Sequence, residues 1–413
     1  MPEVKRSHQL DKVELKIDRK KGAVTLFKEW LQENYVLKVN MLDPDDVYLE
    51  PTDINPMKYE YDVTEGDIYL HALEDGLSIN KGLINAIIQS PNHSTHFNPI
   101  TDYLNSLKGK YKGVSQIDYM SKCLHSPDKQ MSDKNGYIFA KWLVAMAACA
   151  MGMRPNDVAL GIISDRAGIG KTTFFEEIIP PCLRRYTQTV LKNNTNQLPT
   201  AVFSNKVLLN FDELSAITMG TENQFKQLMS SSSVTVNIPG TRRNKLAQRV
   251  ASVCFTSNKT SEQGGFIKNS DPGMLRRLAV IEVDAIDDYR EYLDHDQLWA
   301  EIITLLEGGY DYTWNQKDYS YFSEQNKKYI ITTNAMRLVR MYYQLPAKND
   351  KVRYMSSRDI LLELKNLKRI PSNMTNVDEV TIGQALSSLG FVRKVVRIPD
   401  VGPRYCYIMK ENH

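Results

Sequence analysis

Residues 164–173 constrain the fold more strongly than any other part of the chain. They read Ser-Asp-Arg-Ala-Gly-Ile-Gly-Lys-Thr-Thr and follow an apolar run at residues 158–163. A glycine-rich loop between a buried strand and a helix turns backbone N–H groups toward the positive end of the helix, where phosphate binds. The pattern therefore predicts a nucleotide-phosphate loop at the carboxyl end of a strand.

The loop chemistry predicts ATP and Mg²⁺ as cofactors. Lys171 would neutralise the β- and γ-phosphates, and Thr172 would ligate the metal ion. Asp165 stands where the full pattern has its first glycine, and we expect an altered entry to the loop rather than lost binding. A dinucleotide loop is excluded because its third glycine would fall at Thr173. A plain glycine-rich turn is the alternative. The predicted nucleotide contacts are Ala167, Gly168, Ile169, Gly170, Lys171, Thr172 and Thr173.

Two carboxylates end the next apolar run, residues 206–213, about forty residues after the loop. Asp212 is predicted to hold Mg²⁺, and Glu213 to polarise the attacking water as a base beside the metal. An apolar run ending in Asp-Glu is common by itself and is usually a strand meeting solvent. Its place after a phosphate loop favours the catalytic interpretation.

Further apolar runs at residues 250–256 and 278–283 complete a pattern of strands alternating with helices, which predicts an α/β fold with a parallel sheet. Asn258 follows the third run and is predicted to sense the γ-phosphate, with a turn-forming Asn as the alternative. Arg276 and Arg277 precede the fourth run. One of them is predicted to reach the γ-phosphate of a neighbouring subunit as an arginine finger, unless both are ordinary surface residues.

Residues 234–245 read as a β-hairpin with a Pro-Gly turn. Its basic side chains are predicted to grip DNA phosphates without reading sequence, and a solvated basic loop is the alternative. The predicted DNA contacts in this region are Arg242, Arg243, Lys245 and Arg249.

The last sixty residues are predicted to form a separate unit, with helices at residues 360–367 and 381–389 and strands at 392–398 and 405–409. Helices followed by a basic two-stranded ribbon resemble a winged helix, which binds DNA with a helix and a wing. Residues 351–413 contain 11 Lys and Arg against 6 Asp and Glu, although the net charge of the whole chain is only +3. A protein-binding module is the alternative. The predicted DNA contacts here are Arg393, Lys394, Arg397 and Arg404.

At 413 residues the chain is long enough for several domains. We expect a small α-rich domain at residues 1–95, a helical lead-in at 96–156, the ATPase core at 157–312, a helical connector at 313–350 and the winged-helix-like domain at 351–413. Helices are predicted at residues 24–35, 64–75, 78–89, 100–107, 137–150, 297–306 and 326–344, and a turn region at 43–56. His93 and His96 are expected to lie in a solvated loop rather than to bind metal.

Composition predicts a globular protein, with 42% hydrophobic and 24% charged residues. No apolar run reaches the length needed to cross a bilayer, and the start of the chain lacks the apolar segment of a secretory signal. We therefore expect a cytoplasmic protein that does not bind membranes.

The order of these motifs resembles the superfamily 3 helicases and, more closely, the virulence-associated E family of phages, plasmids and other mobile elements. The likeness covers residues 97–310 and includes the segments at residues 97–107 and 297–300. It implies an AAA+ type P-loop ATPase that assembles into a homo-oligomeric ring, often a hexamer, on single-stranded or forked DNA. A primase or a replication initiator is a further candidate partner. The segment from Gly273 to Arg276 has one residue more than the family pattern, which leaves the register of the finger open.

Four functions are compatible with these motifs. An ATP-driven DNA helicase serving replication of a mobile element comes first, and a DNA-binding initiator or loader that uses ATP only as a switch comes second. An AAA+ protein remodeller predicts an aromatic pore loop, and the basic hairpin argues against it. A small-molecule phosphotransferase is disfavoured because the sequence has no pattern typical of a substrate lid.

Overall fold

The structure, a computed structural model, describes residues 22–43, 47–52, 63–88, 90, 95–190, 198–212, 214, 217, 221–237, 244–267, 271–347, 350–398 and 402–411. The chain divides into two compact units, residues 1–102 and 103–413. Within the described residues, no helix is both long and apolar enough to cross a membrane.

The helices are α1 (Ala23–Asn34), α2 (Glu65–Glu74), α3 (Lys81–Ile88), α4 (Pro99–Ser106), α5 (Gln116–Lys122), α6 (Ser132–Ala150), α7 (Lys171–Ile178), α8 (Val202–Asn205), α9 (Glu222–Ser230), α10 (Pro272–Leu275), α11 (His295–Glu307), α12 (Gln316–Asn326), α13 (Asn334–Tyr342), α14 (Ser357–Asn366) and α15 (Glu379–Ser388). The strands are β1 (Tyr35–Asn40), β2 (Val47–Pro51), β3 (Thr95–Phe97), β4 (Leu124–His125), β5 (Ala159–Ile163), β6 (Thr187–Val190), β7 (Leu208–Asp212), β8 (Ser233–Asn237), β9 (Asn244–Gln248), β10 (Ser252–Ser257), β11 (Leu278–Glu282), β12 (Ala285–Ile286), β13 (Tyr343–Gln344), β14 (Arg353–Met355), β15 (Arg393–Ile398) and β16 (Gly402–Glu411).

The first unit packs α1, α2 and α3 with a three-stranded sheet of order β2-β1-β3. The helices predicted at residues 24–35 and 64–75 are confirmed, and α2 begins at a capping box between Thr64 and Asp67. The third helix begins at Lys81, later than predicted. The turn predicted at residues 43–56 is wrong for the part of it that forms β2. That strand is stabilised by antiparallel pairing with β1 rather than by local sequence. The predicted loop at His93 and His96 is wrong for His96, which lies in β3 because it pairs with Val39 of β1. His93 lies outside the described residues.

A five-stranded parallel sheet forms the centre of the second unit, in the order β11-β5-β10-β7-β6. The four apolar runs predicted as strands are confirmed as β5, β7, β10 and β11. The sequence did not predict β6, because an edge strand with one fully buried residue, Val190, needs no continuous apolar run. The protein is thus a mixed α/β protein with a parallel sheet.

Close packing fixes the middle of this sheet. Gly161 of β5 lies beside Phe255 of β10, and a Cβ on the glycine would approach the ring to 2.1 Å. The indole N–H of Trp142 in α6 donates to the carbonyl of Val158, and that of Trp299 in α11 donates to Ile178 at the end of α7. These two buried bonds tie the helices to the strand and helix that flank the glycine-rich loop.

The helix predicted over residues 326–344 is wrong as one element, because the chain turns between α12 and α13. Asn326 ends α12 and is buried, and its side-chain amide donates to the carbonyls of Leu275 and Leu278 at 2.7 Å each. A new helix, α13, then begins at the N-cap Thr333. The buried amide therefore fixes this end of α12 against the start of β11.

The C-terminal residues of this unit follow the order α13, β13, β14, α14, α15, β15, β16. The helices predicted at residues 360–367 and 381–389 are confirmed as α14 and α15, and the predicted hairpin is confirmed as the antiparallel pair β15–β16. Strand β16 also pairs with β13 and β14, so the hairpin extends from a sheet on which the helices pack.

The hairpin predicted at residues 234–245 is confirmed in its two strands, β8 and β9. Its tip, with Arg242 and Arg243, lies outside the described residues. The prediction that Arg249 contacts DNA is wrong, because this side chain is 1% exposed. Its guanidinium donates to the carbonyls of Ala251, Leu228, Met229 and Asn156 at 3.0, 2.9, 2.5 and 2.7 Å.

Replacing Arg249 with Leu should destabilise the fold, because four carbonyls would lose a charged donor inside the protein. We expect the free energy of unfolding to fall by about 3 kcal/mol, measured by thermal or chemical unfolding of the full chain. Arg185→Leu is the matched control, since Arg185 is exposed beside the ring of Tyr186 and should change stability by about 0.5 kcal/mol at most. Equal stability of the two variants would contradict this role of Arg249.

Candidate functional site

The glycine-rich loop leaves β5 at its carboxyl end and enters α7 at Lys171. Ser164, which is fully buried, donates its N–H to the carbonyl of Ser257 at 3.1 Å, and its hydroxyl accepts from the N–H of Arg166 at 3.2 Å. The guanidinium of Arg166 donates to the carbonyl of Asp284 at 3.1 Å. The start of the loop is therefore attached to the strands on both sides of β5, with Asp165 exposed between these anchors.

The loop needs glycine at two positions. Gly168 and Gly170 have φ angles of +76° and +88°, and no atom lies within 4 Å of where a Cβ would be at either position. Glycine is thus required for the left-handed backbone and not for lack of space. Gly170 is the N-cap of α7, and no side chain caps that end of the helix. The first-turn N–H groups therefore face the open side of the loop, as anion binding at a helix N-terminus requires.

Lys171 links the loop to the neighbouring strand. Its side chain is 7% exposed, and its Nζ donates to the carbonyl of Arg166 at 2.8 Å and to Oδ1 of Asn258 at 2.7 Å. Asn258 directly follows β10, which lies beside β5 in the sheet. The structure thus brings together the predicted phosphate-binding lysine and the predicted sensor.

Asp212 ends β7 at the same edge of the sheet. Strand β10 lies between β5 and β7, with Thr256 paired to Asp212 and Ser257 paired to Ile163. The backbone of Asp212 is therefore one strand away from the end of β5. Its side chain, and all of Glu213, lie outside the described residues.

The described residues of the loop fit a phosphate-bearing ligand. The loop offers the N–H donors of the α7 N-terminus and the ammonium group of Lys171, and this donor set is suited to phosphate oxygens. Thr172 and Thr173 follow Lys171 in the first turn of α7 and are partly exposed, as are Ile169 and, more fully, Ala167. These positions remain predicted ligands.

The two candidate finger arginines have different surroundings. Arg277 is 8% exposed and donates to the carbonyl of Gly273 at 2.5 Å and to the hydroxyl of Ser230 at 2.7 Å. Burial, and then the nearby charge of Arg276, lowers the pKa of Arg277. Arg276 is exposed, with its guanidinium 5.6 Å from the centre of the Tyr319 ring. Arg277 therefore does not fit the finger, because its side chain is bound inside its own subunit.

Both arginines precede β11, so they lie at the amino edge of the parallel sheet. Leu278 of β11 pairs with Ala159 at the start of β5, whereas the loop leaves the other end of β5. The N–H of Ala159 donates to the carbonyl of Arg277 at 2.7 Å. Arg276 thus lies at the opposite end of the strands from the glycine-rich loop of its own chain.

The candidate DNA contacts on β15 and β16 lie on two faces of the hairpin. Cross-strand partners share a face, and the face alternates from one residue to the next. The register pairs are Arg393 with Tyr407, Lys394 with Cys406, Val396 with Arg404, and Arg397 with Pro403. Arg393 and Arg397 therefore share one face, and Lys394 and Arg404 share the other. All four side chains are exposed, as is Lys245 on β9.

The sequence analysis missed two side chains near Arg276. Tyr319 of α12 donates its hydroxyl to Oδ2 of Asp157 at 2.7 Å, and Asp157 lies just before β5. These residues are 162 positions apart in the chain, and neither belongs to a motif. No signal in a single sequence pairs them, because the contact arises from the packing of α12 on the amino edge of the sheet.

Comparison with known proteins identifies one family. The model of the virulence-associated protein E-like domain matches residues 104–331, more than half of the chain. No curated protein sequence matches the chain.

Solved structures of the NrS-1 C-terminal region align with most of the chain. The alignment with one apo structure covers 95% of this chain and 100% of the chain in that structure, with 13% sequence identity and a TM-score of 0.44. The A form apo structure has the same coverage, with 13% identity and a TM-score of 0.42. Likeness at this level does not establish a common fold.

Proposed function

The chain belongs to the virulence-associated protein E-like family, and we propose that it is an ATP-dependent DNA helicase or replication ATPase of a mobile element, hydrolysing ATP between its subunits. The hydrogen bond of 2.7 Å between Lys171 Nζ and Asn258 Oδ1 supports this function most directly. It joins a phosphate-type loop to a polar side chain at the end of the adjacent strand, next to the strand that ends in Asp212.

In this proposal the loop N–H groups and Lys171 bind the β- and γ-phosphates of ATP. Thr172 and Asp212 would hold Mg²⁺, which would neutralise charge on the phosphates. Glu213 accepts a proton from the attacking water, and Asn258 orients that water beside the γ-phosphate. The contact of Asn258 with Lys171 supports this role, because it lies beside the proposed phosphate-binding lysine.

Arg276 is the proposed arginine finger. It is exposed and lies at the sheet edge opposite its own loop, so it is suited to the γ-phosphate of a neighbouring subunit. A closed ring of identical subunits, which we take to be a hexamer, satisfies this requirement at every interface because each subunit gives one arginine and receives one.

DNA binding is proposed for two regions. The β8–β9 hairpin presents Lys245, and Arg242 and Arg243 belong to its tip in the sequence. The second region, residues 351–413, has the helix-and-hairpin order that resembles a winged helix. Its second helix, α15, contains Glu379 and no Lys or Arg. Affinity for phosphates would therefore come from the hairpin and not from that helix.

A second candidate function is a replication initiator or loader that uses ATP as a switch without processive unwinding. The helix-and-hairpin order of residues 351–413 favours it, because a winged helix recognises duplex DNA without any need for translocation. Both functions use the same ATP residues, so strand separation is the measurement that distinguishes them.

The test of the proposed function is ATP hydrolysis by wild type and Glu213→Gln, with and without single-stranded and forked DNA. Removing the base should lower kcat by about 10²- to 10³-fold while ATP still binds, because the loop is unchanged. Hydrolysis stimulated by DNA and accompanied by opening of the fork supports the helicase.

Glu291→Gln is the control for this test, since it removes an exposed carboxylate outside the proposed site. Hydrolysis without fork opening at any salt or loading condition would favour the switch. Undiminished hydrolysis by Glu213→Gln would contradict the assigned base.

The two faces of the β15–β16 hairpin give a separate prediction for DNA binding. Arg393 and Arg397 share the face on which Tyr407 contacts the core of the helices, so DNA lying along α15 would meet this pair. We expect Arg393→Ala with Arg397→Ala to weaken binding and to reduce the slope of log K against log salt by about 2. The measurement is a titration of labelled duplex DNA at several salt concentrations.

The matched control is Lys394→Ala with Arg404→Ala, which removes the same charge from the opposite face. We expect this pair to change the slope by less than about 1. A larger loss from the control pair would reverse the assignment of the DNA-binding face, and no loss from either pair would exclude the hairpin.

A further inference from the structure

The backbone on both sides of Arg276 is fixed by contacts within the subunit. The side-chain amide of Asn326 donates to the carbonyls of Leu275 and Leu278, which flank the two arginines. Arg277 is held by the carbonyl of Gly273 and the hydroxyl of Ser230. The freedom left in this segment is therefore the side chain of Arg276, a long chain with several rotatable bonds.

One aromatic ring lies under that side chain. The guanidinium of Arg276 is 5.6 Å from the centre of the Tyr319 ring, a distance at which a cation is attracted to the ring face. Tyr319 is in the first turn of α12, and Asn315 and Asp318 form a capping box at the start of that helix. Asp318 also pairs with the buried Lys141 of α6 at 3.0 Å. The ring therefore belongs to a helix that is anchored at both ends.

The hydroxyl of Tyr319 fixes the orientation of the ring. It donates to Oδ2 of Asp157 at 2.7 Å, and Asp157 is two residues before β5. Burial, and then this hydrogen bond, raises the pKa of Tyr319, so the hydroxyl keeps its proton at neutral pH and remains a donor. The contacts thus run from Arg276 to Tyr319, to Asp157 and to the strand that ends in the glycine-rich loop.

We propose that Tyr319 and Asp157 are positioning residues that hold Arg276 toward the active site of a neighbouring copy of this chain. This inference rests on the proposed function. By stacking on a fixed ring, Arg276 loses rotamers before the neighbour binds, so less entropy is lost when the guanidinium meets the γ-phosphate. Tyr319 does not touch the nucleotide, and it acts only through Arg276.

The first experiment measures kcat and KM for ATP in Arg276→Ala, Tyr319→Leu and Tyr319→Phe. Loss of the finger should lower kcat by about 10³-fold, and loss of the ring should lower it about tenfold, with KM for ATP nearly unchanged in both. Tyr319→Phe keeps the ring and should restore most of the activity. The double variant Arg276→Ala with Tyr319→Leu should be no slower than Arg276→Ala, because the ring acts through that arginine.

The second experiment tests whether the defect acts on the neighbour. Tyr319→Leu is mixed with Lys171→Met, which cannot use its own loop but has an intact Arg276 and Tyr319. In mixed oligomers, some Tyr319→Leu subunits receive the intact Arg276 of a Lys171→Met neighbour at their glycine-rich loop. Hydrolysis should return at these interfaces, so the activity of the mixture should exceed the summed activities of the separate proteins. Damage to the subunit's own loop would not be repaired in this way.

Arg185→Ala is the matched control, because Arg185 is an exposed arginine 5.4 Å from the ring of Tyr186, near the start of the opposite edge strand β6. It should hydrolyse ATP like wild type. Full activity of Tyr319→Leu would overturn the positioning role and leave the finger intact. The same would follow if mixing with Lys171→Met restored hydrolysis to Arg276→Ala but not to Tyr319→Leu. Full activity of Arg276→Ala would instead refute the finger in the proposed function.

Discussion

The contact between Lys171 and Asn258 is the interaction on which the rest of the site depends. It forms because β10 lies beside β5 and ends at the same level, so that Asn258, which directly follows β10, meets the first residue of the helix that follows β5. The lysine is buried and its ammonium is fixed by the carbonyl of Arg166 as well. In the proposed function this ammonium group meets phosphate oxygens, and a cation fixed in advance stabilises their charge with little rearrangement.

Different groups of side chains lie at the two ends of the strands in the parallel sheet. At the carboxyl edge lie the glycine-rich loop, Asn258 and the end of β7, as expected for ligand sites in open α/β sheets. At the amino edge lie Arg276, Tyr319 and Asp157, at the other end of the strands. In the proposed function each subunit therefore supplies the loop of one active site and the arginine of another.

Much of this arrangement can be predicted from sequence because it depends on local patterns. Four buried strands appear as apolar runs, and glycines with positive φ occur where the motif requires them. The edge strand β6 was missed because its partners lie on one side only, and its sequence is mostly polar. The break between α12 and α13 was missed because Asn326 acts through two carbonyls about fifty residues away.

Residue roles that depend on burial could not be derived from the sequence. Arg249 and Arg277 are of the residue type that commonly contacts DNA or phosphate. Both guanidinium groups, however, donate to oxygens inside the fold. The side chain of Arg276 is exposed, whereas that of the adjacent Arg277 is buried. A single sequence shows that an arginine is present, whereas its exposure depends on helices packed from elsewhere in the chain.

A phosphate-binding site at this loop is tested by equilibrium binding of ATP with Mg²⁺ to wild type and Lys171→Met. Lys206→Met is the control, because Lys206 precedes the start of β7, far from Asp212, and donates to the carbonyl of Arg185. We expect wild type and the control to bind ATP alike, and Lys171→Met to bind at least about 100-fold more weakly because the phosphates lose their buried cation. Absence of ATP binding by wild type, or equal binding by Lys171→Met, would contradict a phosphate-binding site at this loop.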